Sequence, residues 1–486
     1  MTQELLINVG AAETRVAVVE NGRLEGLSTA RTLGGEASDG LVGEIILGRV
    51  VRVLPAVQAA FVEIGRERAG FLGAREARSL APDRTDEPAI AELVREGDKL
   101  LVQIIKDPIG DKGARLTAGV TVPGRLCVLT PFQSLVTLSR RIEDEAERAR
   151  LLAVGETLRA DGILACGCIF RTAALGATLD AIREDVLRLR REWDAIAAAG
   201  ASAPVPAILH HDLDPVTRAL RDVVHAEIAR VLIDDAAAAE RARAFCRRAM
   251  PEVADRIVLF AGPGGLFDDL EADIDGLMHP RVPLPSGAWI TIEGTEALTA
   301  VDVNSGGFIS AAGLEDTGLA VDLEAAGEIG RQIRLRGIGG LIVVDFIHLK
   351  EPEHVERVLQ ALSHSLARDG VPVTVGPLSP FGLVEITRKR VREPLVALAG
   401  EECSACGGLG LVRRPDMVAM DIVRRVEASA RAAPGKPVEV RAAPEVVRRL
   451  EGEALTAALA RKGVARLELK ADETCSRDRF DVSTHP

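Results

Sequence analysis

Two short segments hold the residue types best suited to chemistry. TAVDVNSGG carries Asp302 and Asn304, and GGLIVVDFIHLK, 43 positions further on, ends an apolar run on Asp345. Along a strand, residues i and i+2 project to one face, so Asp302 and Asn304 point together while Val301 and Val303 face away. Leu341 to Val344 follow Gly339-Gly340 as an unbroken apolar run. Such a run predicts a strand buried on both faces that delivers Asp345 at its carboxyl end, where α/β sheets hold ligands. Two carboxylates steadied by an amide suit magnesium, which keeps several waters and takes further ligands from phosphate. A water so activated can attack phosphorus. The same aspartates could instead cap turns and accept hydrogen bonds from the loops that follow.

These residues need a frame to position them. A helix LEAAGEIGRQIRLRG between the strands and a helix EHVERVLQALSHSLARDG after them give a β-α-β-α order, an α/β layer over 281–400. Residues 1–42 read as a β-hairpin turning at Asn21-Gly22. Over 43–120, five short strands bounded by glycine and charge predict a small closed barrel of the OB type. Phe61 and Phe71 fall there with Lys106 and Lys112. Barrels of this kind stack bases on exposed aromatics, although phenylalanine serves as readily as core. Residues 121–213 form an αβ segment in which a strand ends at Arg171-Thr172, a pair able to grip a terminal phosphate through guanidinium, hydroxyl and backbone N–H groups. Residues 214–280 read as helix, helix and the strand RIVLFAG, and 415–486 as a small α+β tail.

The balance of 60 basic and 72 acidic residues leaves −12, which excludes a globally basic nucleic-acid binder and confines RNA contacts to local patches. Candidate patches are Arg140-Arg141, RQIRLR from Arg331, Arg388-Lys389-Arg390 with Arg392, and Arg413-Arg414, each of which could equally be a solvated helix face. Seven scattered cysteines argue against a disulfide framework and, with no apolar run near 18 residues and no leader pattern at the start, lead us to expect a soluble cytoplasmic protein. Cys403 and Cys406 stand apart in GEECSACGGLG, a metal-knuckle pattern. No second pair follows. A zinc ion shared with a second copy of the loop would complete four ligands and make a homodimer; a redox pair or two free thiols is the alternative.

End to end, the chain resembles the ribonuclease E/G family, and within it the short G branch. The strings that carry the likeness are AAFVEIGRERAGFL, DKGARLT, LSRRIE, FRTA, RVPLPSG, TEALTAVDVNSG, LEAAGEIGRQIRLRGIGGLIVVDFI, FGLVEITRKR, the C-x-x-C loop and RFDV. The resemblance implies an α/β and α+β multidomain fold. An RNase H-like subdomain (1–42 and 214–280) is split by an OB-fold barrel (43–120) and a 5′ sensor (121–213). A DNase I-like catalytic subdomain (281–400), a zinc link (401–414) and a small dimerisation domain (415–486) follow.

It further implies a metal-dependent endoribonuclease for single-stranded A/U-rich RNA, acting in rRNA processing and mRNA decay, with dimers that could pair into tetramers. By this resemblance Asp302 and Asp345 hold magnesium with Asn304 orienting them, and Phe61, Phe71 and Lys112 contact RNA. Gly124, Val128, Arg140, Arg171 and Thr172 surround the 5′ monophosphate, and Cys403 and Cys406 bind zinc. The chain departs from the family pattern twice. His348 stands at the usual second acid of Asp-Phe-Ile-Asp, and Asp322 stands at an amide position in VDLEA. A neutral imidazole at 348 would weaken magnesium and favour manganese, unless it points away from Asp345. The alternative to an enzyme is a weakened, RNA-binding homologue of the same fold.

Overall fold

The computed structural model describes residues 2–31, 41–81, 84, 87–108, 113–225, 227–308, 313–368 and 370–484, so Lys112 lies outside the described residues. The chain forms two compact units, Met1–Leu395 and Val396–Pro486.

In the first unit, Gln3–Val9, Glu13–Glu20 and Arg23–Arg31 make an antiparallel meander, one strand more than a hairpin. Asn21 and Gly22 turn its first corner with φ of 51° and 79°, the left-handed pair that a two-residue hairpin loop requires. The meander is completed from far along the chain. Ile228–Ile233 pairs parallel with Gln3–Val9 and is flanked in turn by Ile257–Leu259. Sequence reading finds the latter strand and misses the former, a six-residue run set among alanine-rich helical sequence.

Ile45–Leu54, Ala59–Glu63, Gly70–Gly73, Arg115–Thr117 and Lys99–Lys106 pair in that order, and the last returns to the first. This closed five-stranded, OB-like barrel is the expected one. Ile46, Val50, Val62, Leu72, Val102 and Leu116 fill it. A side chain at Gly48 would sit 2.8 Å from the Glu63 carbonyl, so glycine lets the strands close. Ala207–His210 adds to the edge of Ile45–Leu54. Four short strands, Val136–Leu138, Gly167–Phe170, Cys127–Thr130 and Val122–Pro123, then form a sheet, against which Glu145–Ala160 and Leu179–Ser202 bury Leu151, Leu158, Ile182, Val186 and Leu189. Asp144 and Thr178 start these helices by accepting N–H bonds from their first turns.

The last sheet of this unit has the order Arg281–Pro283, Trp289–Gly294, Leu298–Asn304, Gly340–Asp345, Leu383–Arg388, Val373–Leu378. Its two carboxylate-bearing strands are parallel neighbours, which requires a crossover between them. The helix Leu314–Arg336 supplies it and, with Pro352–Ala367, covers one face, burying Ile290, Val301, Val303, Ile342, Val344 and Ile386. Gly330 lets the two helices touch, since a Cβ there would lie 2.2 Å from Ser365 Oγ. Gly340–Asp345 is not buried on both faces, contrary to its apolar run. Leu341 is 40% exposed, because it shares with Asp345 the face that the helices leave open.

Two of the basic patches are structural. Arg331, Arg336 and Arg388 are buried. Arg331 pairs with Glu328 at 2.9 Å and donates to the Leu24 carbonyl, Arg334 pairs with Glu25, and Arg336 donates to the His279 carbonyl. Arg388 donates to the Ile338 carbonyl and Arg392 to that of Leu27. Arg331, Arg336 and Arg388 are thus buried with partners, whereas Lys389, Arg390 and Arg392 stay exposed, Arg390 and Arg392 donating to backbone carbonyls.

In the second unit, Arg466–Ala471, Pro437–Ala442 and Phe480–Thr484 form a sheet, on which Pro415–Ala432 and Pro444–Leu450 bury Val418, Ile422, Val426 and Val446. Among the described residues no helix is long and apolar enough to cross a membrane.

Candidate active site

Asp302 and Asp345 are register partners on adjacent parallel strands, whose backbones run about 4.8 Å apart. Both are exposed. Asn304, two residues on and on the same face, donates from Nδ2 to Asp302 Oδ2 at 2.8 Å, so the amide fixes the carboxylate as the i, i+2 spacing anticipated. Among the described residues neither aspartate has an ion-pair partner. Two like charges held side by side without a cation repel one another, and a bound divalent ion relieves this. No cluster of three or more His, Cys, Asp or Glu placed to hold a metal occurs among the described residues. Two carboxylates leave most of an ion's shell to water and phosphate oxygens, a donor set that fits magnesium.

Beside Asp345 opens a cavity of about 130 Å3 lined by Asp322, Asp345, Phe346, His348 and Phe381 among others. The strand ends at Asp345, so alternation does not carry His348 to the opposite side. It lines the same cavity. Asp322 projects from the crossover helix with no solvent exposure. Its Oδ1 accepts the Ile347 N–H at 3.0 Å, which pins the turn just past Asp345, and its Oδ2 has no partner. Burial pushes this carboxyl up to about 7, and the nearby Asp345 charge adds to the rise against the Ile347 hydrogen bond.

On the barrel, Phe61 and Phe71 are cross-strand partners with ring centroids 6.0 Å apart, edge to face. They are half-buried and are not among the residues that fill the barrel core. Pairing extends the row on both sides. Arg52 is in register with Phe61, Arg115 with Phe71, and Lys106 with Arg115. The three basic residues are exposed, Arg115 in an ion pair with Glu76. Arg52 and Arg115 were not singled out from sequence, where only the pairing of separate strands could reveal them.

In the four-stranded sheet, Val128 pairs with Ile169. Arg171 follows the strand Gly167–Phe170, and Gly124 lies in the turn between Val122–Pro123 and Cys127–Thr130, its N–H donating to the Cys127 carbonyl at 2.8 Å. Arg171 Nη1 donates to the Gly124 carbonyl at 2.6 Å, while Thr172 Oγ1 and Ser139 Oγ lie 3.2 Å apart. Arg140, next to Ser139, is exposed. The structure thus gathers Gly124, Val128, Arg171 and Thr172, with Arg140 alongside. It adds Asp222, whose Oδ1 is 2.9 Å from Arg171 Nη2. Burial alone would raise the Asp222 carboxyl, but the hydrogen bond and charge of Arg221, then those of Arg171, hold it below the usual range.

In the second unit the Cys403 carbonyl accepts the Gly407 N–H at 2.8 Å. The exposed Cys403 thiol is lowered by the Ala405 backbone N–H first, then by the Cys406 backbone N–H and the Cys406 side chain. A lowered thiol favours the thiolate that metals bind.

The model of the ribonuclease E/G family matches residues 121–391. Ribonuclease G of Salmonella typhimurium is 37% identical over 99% of this chain and 99% of its own length. Ribonuclease G of Escherichia coli K12 is 38% identical over 93% of each chain. Ribonuclease E of a Nostoc species is 41% identical over 77% of this chain and 55% of its own.

The Asp322 carboxyl carries a pH signature. With its value raised on folding, it costs nothing below about pH 4, where both states keep the proton, and its cost grows to a maximum above pH 7. Asp322→Asn removes that cost, so the stability of the variant relative to the parent should rise by roughly 2–3 kcal/mol between pH 5 and pH 8. Denaturant midpoints at the two pH values measure this, and an unchanged difference refutes the assignment.

Proposed function

The chain belongs to the ribonuclease E/G family, and we propose that it is a magnesium-dependent endoribonuclease cutting single-stranded A/U-rich RNA with a preference for 5′-monophosphorylated ends. Its work would be rRNA processing and mRNA decay. The relatives named ribonuclease G and E support the endoribonuclease activity. The observation that carries the site is the in-register Asp302–Asp345 pair on an open face, with Asn304 bound to Asp302.

Asp302 and Asp345 would hold the magnesium, which when bound supplies an activated water and charge neutralisation at phosphorus. The protein's own contribution is orientation. Asn304 keeps one carboxylate from rotating, and Asp322 holds the backbone after the other. Phe61 and Phe71 would take unpaired bases on their faces, which excludes paired strands whose bases cannot open onto them. Arg52, Lys106 and Arg115 flank the rings for phosphate. Arg171 and Thr172 would seat the 5′ phosphate, with Asp222 keeping the guanidinium in place until an anion arrives.

In the same reading, the meander with Ile228–Ile233 is the RNase H-like subdomain and the carboxylate sheet the DNase I-like one. Cys403 and Cys406 would share zinc with a second copy to link a dimer able to pair into a tetramer. His348 and Asp322, both departures beside Asp345, favour a second reading in which the chain binds RNA and cuts it poorly.

A 5′-monophosphorylated A/U-rich oligonucleotide with magnesium decides between them. Cleavage should require the ion, and Asp345→Asn should abolish it while binding persists. Retained binding without any cleavage by the parent would favour the second reading, and equal cleavage by both proteins would overturn the assignment of Asp345. The same oligonucleotide with a 5′ hydroxyl tests the sensor. Arg171→Ala should reduce the preference for phosphate by roughly 10- to 150-fold, the worth of a charge-assisted hydrogen bond; a full preference in the variant would place the sensor elsewhere. For the cysteines, Cys403→Ser with Cys406→Ser should release about one zinc per two chains and halve the assembly mass. Light scattering with metal analysis reads both, and an unchanged mass and metal content would refute the link.

A further inference from the structure

Phe381 is the most exposed aromatic residue among the described ones, at 88%, in a chain with 11 phenylalanines, two tryptophans and no tyrosine. Leaving so large a ring in water is unfavourable. The local sequence nevertheless holds it there by construction. In Ser379-Pro380-Phe381-Gly382, the Gly382 N–H donates to the Ser379 carbonyl at 2.9 Å and the Ser379 N–H to that of Leu383 at 2.8 Å. Gly382 takes φ of +81°, and Ser379 Oγ accepts the Leu383 N–H at 3.2 Å. This is a three-residue hairpin loop closed by a left-handed glycine. Its tip is one ring.

The loop lies at the carboxylate end of the sheet. Leu383, two residues past Phe381, is the register partner of Asp345. Phe381 and Asp345 line the same cavity together with Phe346, His348, Leu359 and Leu378. The Phe381 ring and a hollow lined by Phe346, Leu359 and Leu378 as well as by Asp322 and His348 therefore border the Asp345 side of the aspartate pair. What sits over the pair, in the function proposed above, is a phosphodiester, and each flanking nucleotide brings a base that must go somewhere.

We propose that Phe381 is a stacking platform of the cleavage site, taking the face of the nucleobase next to the phosphate held over Asp302 and Asp345. Base–aromatic stacking is tolerant of sequence and needs one accessible ring face, which the loop supplies. Phe381 would be a positioning residue distinct from the barrel pair. Phe61 and Phe71 hold the strand at a distance, whereas Phe381 fixes the nucleotide being cut.

The proposal rests on the carboxylate site being where RNA is cut, and a binding readout separates the two. In the inactive Asp345→Asn background, 2-aminopurine walked through a short single-stranded oligonucleotide should be quenched at a position where adding Phe381→Ala abolishes quenching and Phe381→Trp keeps it. Quenching that Phe381→Ala leaves intact at every position overturns the platform, whatever the activity. In the active chain, Phe381→Ala should lower kcat/KM by roughly 5- to 150-fold, and Phe381→Trp should restore it. An abasic nucleotide at the quenched position should bring the parent to the level of Phe381→Ala and leave that variant no slower. Independent, multiplying losses overturn the contact. If the quenching pattern holds while the parent fails to cleave, the platform stands and the cleavage reading falls.

Discussion

The arrangement depends on a topological constraint met by one helix. Asp302 and Asp345 can face a common phosphate only because their strands are parallel neighbours, and parallel neighbours cannot be joined by a tight turn. Leu314–Arg336 makes the crossover, and its buried surface does two kinds of work. Toward the carboxylate sheet it is apolar and small, with Val321, Ala325, Ile329 and Ile333 in the core. Toward the N-terminal meander it is ionic. Glu328 accepts from Arg331, Gln332 and Arg23, and Arg331 reaches the Leu24 carbonyl. A buried pair of this kind adds little net stability against an apolar substitute, yet removing one partner is costly because the other charge is stranded. The cluster thus sets where the helix sits more than how firmly the chain folds.

Face assignments along single elements were legible in the sequence, and partners were not. The alternation Val301, Asp302, Val303, Asn304 told which residues look outward, and Asn21-Gly22 told where the meander turns. The apolar run before Asp345 misled, since Leu341 and Val343 look like core while occupying a face that no helix covers. The charges of RQIRLR read as solvent or RNA contacts, although Glu328, Glu25 and distant carbonyls absorb them. Periodicity encodes a side, not a neighbour. For that reason Ile228–Ile233 beside Gln3–Val9, Asp222 against Arg171, and Arg52 and Arg115 beside the two phenylalanines are not legible in the sequence.

Several devices within the first unit use the same means to present a group to solvent. Asn304 restrains Asp302, Asp222 restrains Arg171, and a glycine-closed loop restrains Phe381. The Asp302 and Arg171 side chains are held by short hydrogen bonds, so little of their rotamer entropy is left to lose on binding, whereas the loop fixes only the backbone that carries Phe381. Asp322 is the exception. It carries a buried oxygen without a partner, a cost retained beside Asp345.

The row Arg52, Phe61, Phe71, Arg115, Lys106 runs across the barrel strands on a chain whose formal charge is −12. A polyanion approaching such a molecule is repelled at long range and attracted only within reach of that row. Added salt weakens the short attraction, but it also screens the distant repulsion, and the two shifts oppose each other. The ionic-strength dependence of RNA association should then be shallower than the count of basic contacts implies. Stacking, which salt does not screen, would carry a correspondingly larger share of the grip.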